Sequence, residues 1–293
     1  MQSLLFETFM ARLRHHFIRT VIVSIAFSVP GGVLLASDGV LEINAVCAAQ
    51  GCFTGDLPGY PVSITGADGS SYVLTSDLIL PDENTTGVLI RTNHITVDLG
   101  GHHIDGPVVC EGASVVCDLT GTGDGIRADG SSIVGVEVSN GIVSGAGRNG
   151  IDLGDQSIVR DLRVMSNASD GLDLGSGTIV ERVVSSFNAE DGIDVDSNSV
   201  IRASTTQSNA GNGIRASGGT VVSNCTLADN ETNGVLGLSG TLVSDSTFVA
   251  NDGDALQLNN NSGYRGNVFA GNSNNISGGV NLGGNLCDLL LCP

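Results

Sequence analysis

The sequence predicts an all-β solenoid, in which one chain winds into a parallel coil of short strands with about eight turns and a small cap at each end. Three observations predict this fold. Asparagines recur with a 21-residue period, Gly preceded by Asn or Asp recurs with the same step, and an apolar residue follows each of these positions. A fixed period of this length is the sequence signature of a repeat architecture.

The repeat is visible as vertical columns of equivalent residues. The asparagine column is Asn167, Asn188, Asn209, Asn230, Asn251 and Asn272. The glycine column is Gly150, Gly171, Gly192, Gly213 and Gly234, and the apolar residues that follow it are Ile151, Leu172, Ile193, Ile214, Val235 and Leu256. Further apolar and hydroxyl columns keep the same register, so the period extends over most of the second half of the chain.

The segments between the bends have the composition of strands. They are short, rich in β-branched residues and bounded by Gly, Asn, Asp and Ser, and they lack an apolar stripe of helical length. We expect the Asn-Gly and Asp-Gly pairs to form bends, because both residue types tolerate a positive φ. Parallel turns about 4.8 Å apart would place equivalent residues above one another, so that the asparagines can form a ladder of side-chain hydrogen bonds.

A leucine-rich solenoid is the rival repeat architecture, because the range of its periods includes the one seen here. That template requires Leu two positions after the asparagine, where this chain has Ser169, Glu190, Gly211, Thr232, Gly253 and Asn274. No helix-forming segment fills the outer side of the repeat. The pattern therefore favours the all-β coil.

The predicted organisation has four parts. Residues 1–36 are a signal peptide, 37–71 an N-terminal cap, 72–280 the coil and 281–293 a C-terminal cap. The eight turns start at Val88, Ile126, Ile151, Leu172, Ile193, Ile214, Val235 and Leu256. Residues 107–121 interrupt the period, and we expect them to form a loop beside the early turns.

The N-terminus and the cysteines both predict export. Residues 1–20 carry three arginines, an apolar stretch follows, and Ala36 is small enough for signal peptidase, although an uncleaved anchor is the alternative. Six cysteines form three sequence-local pairs that suit disulfides in an oxidising compartment. These pairs are Cys47 with Cys52, Cys110 with Cys117, and Cys287 with Cys292. A zinc cluster is the competing interpretation, but neither CxxC spacing nor a nearby histidine set supports it.

Several segments carry a resemblance to a known superfamily. They are the Asp-Gly-Leu-Asp-Leu of 170–174, the Asp-Gly-Ile-Asp-Val of 191–195, the asparagine column, and the segments 72–78 and 95–101. Over roughly residues 72–275 the chain resembles the pectate-lyase-like superfamily of right-handed parallel β-helix repeat proteins, including secreted bacterial members. The resemblance implies a single-stranded, three-sheet, right-handed coil that is associated with carbohydrate. It implies no single activity, because the superfamily includes lyases, hydrolases, epimerases and non-enzymes.

Charge limits the partners. Residues 37–293 carry 30 acidic residues, 9 arginines and no lysine. Such a surface repels phosphate backbones and anionic lipids, so we expect neither nucleic-acid binding nor membrane insertion after cleavage of the signal peptide. A polysaccharide or a surface protein remains as the expected kind of partner.

One group of acidic residues is a candidate metal site. Asp152, Asp173 and Asp194 form a column that we expect to point outward, and Asp170 and Asp191 lie beside it. Stacked carboxylates repel one another, and calcium favours several carboxylate oxygens. The sequence therefore suggests a calcium site at Asp170, Asp173, Asp191 and Asp194, with a solvated acidic face as the alternative. No other cofactor is indicated.

Other candidate residues have structural interpretations. Arg160, Glu181 and Arg202 form a column of alternating charge, which predicts pairing between turns. The lyase resemblance offers an arginine as a base, but no lyase motif surrounds these arginines. Cys225 occupies an apolar column, which predicts a small buried thiol.

Histidines are confined to one short region after the predicted signal peptide. His94, His102 and His103 lie there, and His102 and His103 follow two glycines, so an exposed bend is favoured over a metal or acid–base role beside Asp98 and Asp105.

The predicted function is a secreted β-helix scaffold or surface-interaction protein with no identifiable catalytic centre. Hydrolase relatives carry Asn-Thr-Asp, Asp-Asp, Gly-His-Gly and Arg-Ile-Lys motifs, and none occurs here. Aromatic residues for sugar stacking are few. The alternatives are a lyase, epimerase or hydrolase that acts on acidic glycans in a groove built by the loop at 107–121, and a carbohydrate-binding module without catalysis.

Overall fold

The computed structural model describes residues 39–112, 114–288 and 290–292, which wind into a parallel β-coil. Three parallel sheets run along the coil, and each complete turn adds one strand to each sheet. The predicted signal peptide lies outside the described residues. The predicted fold class is confirmed.

The strands are short and most contain three residues. The first sheet contains Val62–Ile64, Val88–Ile90, Ile126–Ala128, Ile151–Leu153, Leu172–Leu174, Ile193–Val195, Ile214–Ala216 and Val235–Gly237. The second sheet contains Leu41–Ile43, Ser71–Leu74, Thr96–Asp98, Ile179–Glu181, Val200–Arg202, Val221–Ser223 and Leu242–Ser244. The third sheet contains Leu78–Ile79, His103–Asp105, Val184–Ser186, Thr205–Gln207, Thr226–Ala228, Thr247–Val249, Val268–Ala270, Leu286–Cys287 and Leu290–Leu291.

Four longer strands pass from one sheet to the next. Glu137–Ser144 and Ile158–Met165 join the second sheet to the third, whereas Asp254–Arg265 and Asn274–Asn281 join the first to the second. Cys110–Glu111 and Val116–Cys117 form a separate antiparallel hairpin.

The coil has about ten turns, two more than the eight starts identified in the sequence. Val62 pairs with Val88 ahead of the first predicted turn, and Ile276 pairs with Leu256 after the last. The first of these steps is longer than the 21-residue period and the second is shorter, so neither turn fits the repeat. A strand joins the coil through backbone pairing and an inward apolar residue, and neither requires a constant loop length.

A narrow core runs along the coil axis. The inward columns consist almost entirely of Val, Ile and Leu, and most of these side chains are fully buried. Burial of one such side chain stabilises the fold by about 1.5–3 kcal/mol, and each turn buries several of these side chains. Toward the C-terminal end, Phe248 and Phe269 occupy the third-sheet column and stack with their ring centroids 5.0 Å apart.

The asparagine column forms a continuous buried ladder at the bend between the third and first sheets. From Asn167 to Asn251, each Nδ2 donates to the Oδ1 of the asparagine in the next turn, with Nδ2–Oδ1 distances of 2.8–2.9 Å. The same Oδ1 atoms also accept the backbone N–H of the preceding turn's asparagine. Each amide both donates and accepts, so the buried polar groups are satisfied without charge.

The glycine column has a different cause from the predicted one. These glycines lack a positive φ, and so do the Asn and Asp residues before them. A Cβ on Gly171 would lie 2.6 Å from the carbonyl oxygen of Gly192, so glycine is required by the close approach of neighbouring turns. Positive φ values occur at other corners, in the columns that include Asp161 and Ser166.

The loop at 107–121 begins and ends beside the early turns, where the backbone N–H of Gly121 donates to the carbonyl oxygen of Gly147, but it also reaches beyond them. Its hairpin is closed by the Cys110–Cys117 disulfide, and its apolar residues pack on Ala168, Phe187 and Ala210. The backbone N–H of Val115 donates to Glu231, just before the start of the seventh predicted turn. The loop therefore runs lengthwise across several later turns, where small residues leave room for it.

The two ends of the coil are closed differently. At the N-terminal end, the single helix of the described residues, α1 (Ala45–Gln50), is capped by Asn44 and places Ala48 in the core. The Cys47–Cys52 disulfide ties it to the following loop. At the other end, a short hairpin with the Cys287–Cys292 disulfide extends the third sheet. Among the described residues, no helix is both long and apolar enough to cross a bilayer.

Candidate functional site

The most site-like feature is a row of carboxylates on the outer face of the first sheet. Asp152, Asp173 and Asp194, which we call the aspartate row, occupy equivalent positions in three consecutive strands. The row is bounded by arginine on both sides, because Arg127 pairs with Asp152 and Arg215 pairs with Asp194. The row points outward as predicted, but the structure half-buries its side chains.

A second set of polar residues follows the bend beside the aspartate row. Asp124, Asn149, Asp170, Asp191, Asn212, Asn233 and Asp254, which we call the turn ladder, stand immediately before the glycine column. In each step, a side-chain oxygen accepts the backbone N–H of the equivalent residue in the next turn, as Asp170 does from Asp191 at 2.7 Å. Asn and Asp serve equally in this role, because only an acceptor is needed.

Two members of the aspartate row, Asp152 and Asp173, line a shallow cleft of about 420 Å³. Its other wall is the bend between the first and second sheets, which contributes Asp129, Asp155 and Asp196. Arg127 is the one cation among the described residues of the lining. Of the residues that the structure describes, none from the 107–121 loop and no aromatic residue lines this cleft, so the predicted groove beside that loop is not where the cleft forms.

Burial changes the acidity of the row. Desolvation, followed by repulsion from Asp173, raises the pKa of Asp152 to about 6. Desolvation likewise raises the pKa of Asp194 to about 6, although Arg215 opposes this shift. The pKa of Asp173 is raised mainly by desolvation. In the turn ladder, desolvation raises the pKa of Asp170 to about 8.

The carboxylates of the row are bound by donors from the chain itself. Asp152 contacts Arg148 and Asp194 contacts Arg215, each at 2.5 Å, while Asp173 accepts from the Nδ2 of Asn149 at 3.1 Å. On the cleft's other wall, Asp155 accepts the backbone N–H of Ser176. These contacts offset part of the repulsion between stacked charges.

The predicted calcium ligands already have partners within the chain. Asp170 and Asp191 each use one oxygen on the turn ladder, and Asp194 is paired with Arg215. Among the residues that the structure describes, no group of three or more His, Cys, Asp or Glu side chains is placed to hold a metal ion. Calcium binding at Asp170, Asp173, Asp191 and Asp194 stays a prediction for titration.

The alternating charge column is only partly paired as expected. Arg202 contacts Glu181 at 3.3 Å, but Arg160 reaches Glu137 in the preceding turn instead. Arg182 supplies a second partner for Glu181. The charges form a surface network on the second sheet, away from the cleft.

The histidines form separate exposed pairs with aspartates. His94 lies 2.7 Å from Asp68, and His102 lies 3.2 Å from Asp77, which is a partner that the sequence did not suggest. His103 lies 3.4 Å from Asp105, whereas Asp98 accepts from the backbone of Gly100.

The remaining cysteine is buried. Cys225 is 3% exposed, and desolvation raises its pKa to about 11. A thiol with this pKa is a poor nucleophile at neutral pH.

The sequence analysis did not identify the arginines that flank the aspartate row. Arg215 lies one full period after Asp194, so the repeat could have placed it in the row. Arg127 precedes Asp152 by more than one period, because the chain between them does not follow the repeat. Arg148 reaches both Asp152 and the buried Asp124, and no spacing indicates such a contact.

The fold and the repeat together define a solenoid of parallel β-strands with a polar cleft on its first sheet. The family described as "Right handed beta helix region" matches residues 124–287, which is more than half of the chain. The chain belongs to this right-handed β-helix family. No curated protein matches the sequence.

Two of the solved structures that match this chain show the extent of the similarity. One is a pectate lyase with a TM-score of 0.52 and 14% identity, over 81% of this chain and 76% of that one. The other is the A-module of a mannuronan C-5 epimerase from Azotobacter vinelandii, with a TM-score of 0.46 and 13% identity, over 85% and 88% of the two chains. At such low identity, the similarity to the pectate lyase shows the fold alone.

Proposed function

We propose that this protein is a secreted, non-catalytic binding scaffold that presents the faces of its β-coil to a polysaccharide or surface protein. The observation that carries the proposal is the internal pairing of the aspartate row. Asp152, Asp173 and Asp194 each accept from a donor of the chain, which is what stable packing of stacked carboxylates requires. An acid–base centre instead needs carboxylates that are free to exchange a proton with a substrate.

The aromatic residues support the same proposal. The seven aromatic side chains of the described residues are buried or partly buried, and those beneath the disulfide hairpin or in the core have no access to the cleft. Catalytic sugar subsites commonly use exposed aromatic rings as stacking surfaces. The cleft offers carboxylates, hydroxyls and backbone groups, which suit hydrogen bonding to hydroxyl-rich or cationic partners.

Export is part of the proposal. The structure contains three disulfides, which indicate an oxidising compartment outside the cytoplasm. Secretion through the predicted signal peptide of residues 1–36 accounts for that location. Mass spectrometry of the protein recovered outside producing cells tests this step, and an N-terminus upstream of residue 37 would contradict it.

A second candidate is a polysaccharide lyase, epimerase or hydrolase. The observation that favours it is the pKa of about 6 for Asp152, which lines the cleft, and for Asp194 in the same row. A carboxyl group with such a pKa can donate a proton near neutral pH. Asp173 lies one turn from each of these two residues, and the backbone spacing of about 4.8 Å between turns is close to the roughly 5–5.5 Å between the carboxyl groups of retaining glycosidases.

One experiment separates the two candidates. The protein is incubated with a panel of uronate and neutral glycans, with calcium or with a chelator. Unsaturated products are followed by their ultraviolet absorbance, and new reducing ends by a colorimetric assay. The scaffold proposal predicts no turnover with any glycan. Turnover that is lost in Asp173→Asn and kept in Asp229→Asn, an exposed aspartate on another face, would overturn it.

Binding is measured on the same panel. A glycan array and calorimetry with the best array ligand test whether a polysaccharide is the partner, and Asp173→Asn serves as the variant in the cleft. Calcium titration by calorimetry, with Asp194→Asn as the variant, tests the metal hypothesis. A heat of binding that disappears in this variant would support calcium, whereas no heat would remove it.

A further inference from the structure

The outer side of the third sheet carries no charge over five consecutive turns. The third-sheet face, as we call it, is the outward side of the strands Val184–Ser186, Thr205–Gln207, Thr226–Ala228, Thr247–Val249 and Val268–Ala270. The middle residue of each strand points into the core, and none of the outward residues is acidic or basic. The outward positions of the other two sheets carry aspartate, glutamate and arginine instead.

The polar groups of the third-sheet face are not bound by the chain. Thr205, Thr226 and Thr247 lie above one another in consecutive turns, and their hydroxyl groups have no hydrogen-bond partner among the described residues. The carboxylates of the aspartate row, in contrast, each accept from a donor of the chain. An exposed hydroxyl can exchange its water for a hydroxyl group of a ligand, whereas a group with an internal partner gains little from one.

Methyl groups lie beside these hydroxyls. Val184, Val249 and Val268 are 37%, 38% and 40% exposed, so no described element covers the third-sheet face. The threonines contribute further methyl groups, and side chains in a strand stand roughly perpendicular to the sheet. The result is a shallow surface about 19 Å long that offers methyl contacts and hydrogen bonds in each turn. A sugar ring, with its C–H groups and hydroxyls, matches both.

Charged residues border the third-sheet face without entering it. Arg163 lies in the strand before Val184–Ser186, and Asp288 lies at the other end. Arg182, at a corner, is paired with two carboxylates. Asp229 and Asp245 are exposed at the corners on either side. These carboxylates repel an anionic polymer, and the face itself has no cation to attract one. The charge pattern therefore favours an uncharged partner.

We propose that the third-sheet face binds an uncharged linear polysaccharide, which runs along the coil axis across the stacked threonines. The inference rests on the proposed function, because it requires a scaffold that binds a polysaccharide, and it adds the face and the class of polymer. Each turn offers an equivalent contact, so successive sugars of one chain bind to successive turns. The affinity therefore rises with chain length until the glycan spans the face.

The test measures binding to the full chain by calorimetry. The probes are a size series of neutral glucose and mannose oligosaccharides, with oligosaccharides of polygalacturonate as the anionic comparison. Thr226→Arg places a long, charged side chain at the centre of the face. The matched control is Ser223→Arg, because Ser223 points outward from the second sheet in the same turn.

A second variant tests the hydroxyl groups alone. Thr205→Val, Thr226→Val and Thr247→Val, combined, remove three hydroxyls and keep the β-branched shape of each side chain. Circular dichroism shows whether each variant keeps the β-coil.

Neutral oligosaccharides should bind with an affinity that levels off once they exceed the roughly 19 Å length of the face. Thr226→Arg and the triple valine variant should each lower this affinity roughly tenfold or more, because a blocked surface and lost hydrogen bonds both weaken binding. Ser223→Arg and the cleft variant Asp173→Asn should leave it unchanged.

Methyl NMR adds a local readout of the bound face. The signals of Val249 and Val268 should shift on addition of a neutral oligosaccharide. Those of Val200 and Val221, which point outward from the second sheet, should not.

Several outcomes would overturn the inference. Neutral-glycan binding that survives in Thr226→Arg and is lost in Asp173→Asn assigns the ligand to the cleft, and stronger binding of polygalacturonate assigns it the opposite charge. Both results leave the proposed function standing. A lack of binding to every neutral oligosaccharide also removes the inference. Turnover of a glycan contradicts the proposed function alone, because Thr226→Arg still reports where the glycan binds.

Discussion

The asparagine ladder and the aspartate row use the same geometry with opposite electrostatic consequences. In both, one side chain per turn lies above its equivalent in the next turn. Asn188, Asn209 and Asn230 are fully buried, yet each donates to one neighbour and accepts from the other. Asp152, Asp173 and Asp194 can only accept when ionised, so each needs a donor from outside the row.

The difference shows how an exact repeat limits chemistry. Stacking is favourable when a residue complements itself, and the amide of asparagine does so. Carboxylates do not complement one another. The aspartate row is tolerated because arginines flank it, and because desolvation and mutual repulsion raise the pKa of its members, so that they are more readily protonated. We therefore expect the ladder to control stability at every pH, and the row to control how stability varies with pH.

The largest effect is expected from Asn209→Asp. The new carboxylate would be fully buried, would face the Oδ1 of Asn230 and would lose the donor that Asn209 supplies. We expect the free energy of unfolding in urea to fall by about 3–5 kcal/mol. The control is Asn224→Asp on the surface, for which a change within about 0.5 kcal/mol is expected. Equal losses in both variants would show that the ladder has no special role.

The second prediction concerns pH. Asp152 and Asp194 have pKa values of about 6 and Asp170 about 8 in the folded protein, against roughly 3.9 in the unfolded chain. Between these values the folded state binds more protons than the unfolded state, so its stability decreases as pH rises. We expect the free energy of unfolding to fall by about 3 kcal/mol from about pH 4 to about pH 8, less than the separate shifts would sum to because solvent screens the row. Stability that rises over this range would contradict the raised pKa values.

Asp173→Asn should reverse part of that trend. The substitution removes the central charge of the row and keeps an oxygen that accepts from Asn149. Near pH 8 the free energy of unfolding should rise by about 1 kcal/mol, whereas near pH 4 it should change little. Carboxyl NMR titration should show lower pKa values for Asp152 and Asp194. An unchanged pH dependence would mean that desolvation alone sets these values, and Asp229→Asn is the matched control.

The smallest effect is expected from Arg215→Gln. The arginine is 49% exposed, so its pair with Asp194 is screened by solvent. We expect the free energy of unfolding to fall by about 0.5 kcal/mol near pH 8 and to stay unchanged near pH 4, where Asp194 is protonated. Arg202→Gln, with a similarly exposed arginine on the second sheet, is the control. A loss that is equal at both pH values would assign Arg215 a packing role instead.

The repeat made much of the fold predictable. Because the turns are parallel and in register, residues 21 positions apart in the sequence lie above one another in the structure. The asparagine ladder, the aspartate row and the inward apolar columns could therefore be predicted from this spacing. The turns that start at Val62 and Ile276 did not, because their connecting loops differ in length. The loop at 107–121 could not be placed, since its packing on Phe187 joins residues with no common period.

The architecture follows from the repeat alone, because a self-complementary repeat has one low-energy way to stack. Contacts between residues that are not one period apart depend on the tertiary structure. It brought Arg127 and Arg148 to the aspartate row and laid the disulfide hairpin over the later turns. These contacts depend on where irregular segments pack, and a periodic pattern carries no information about that.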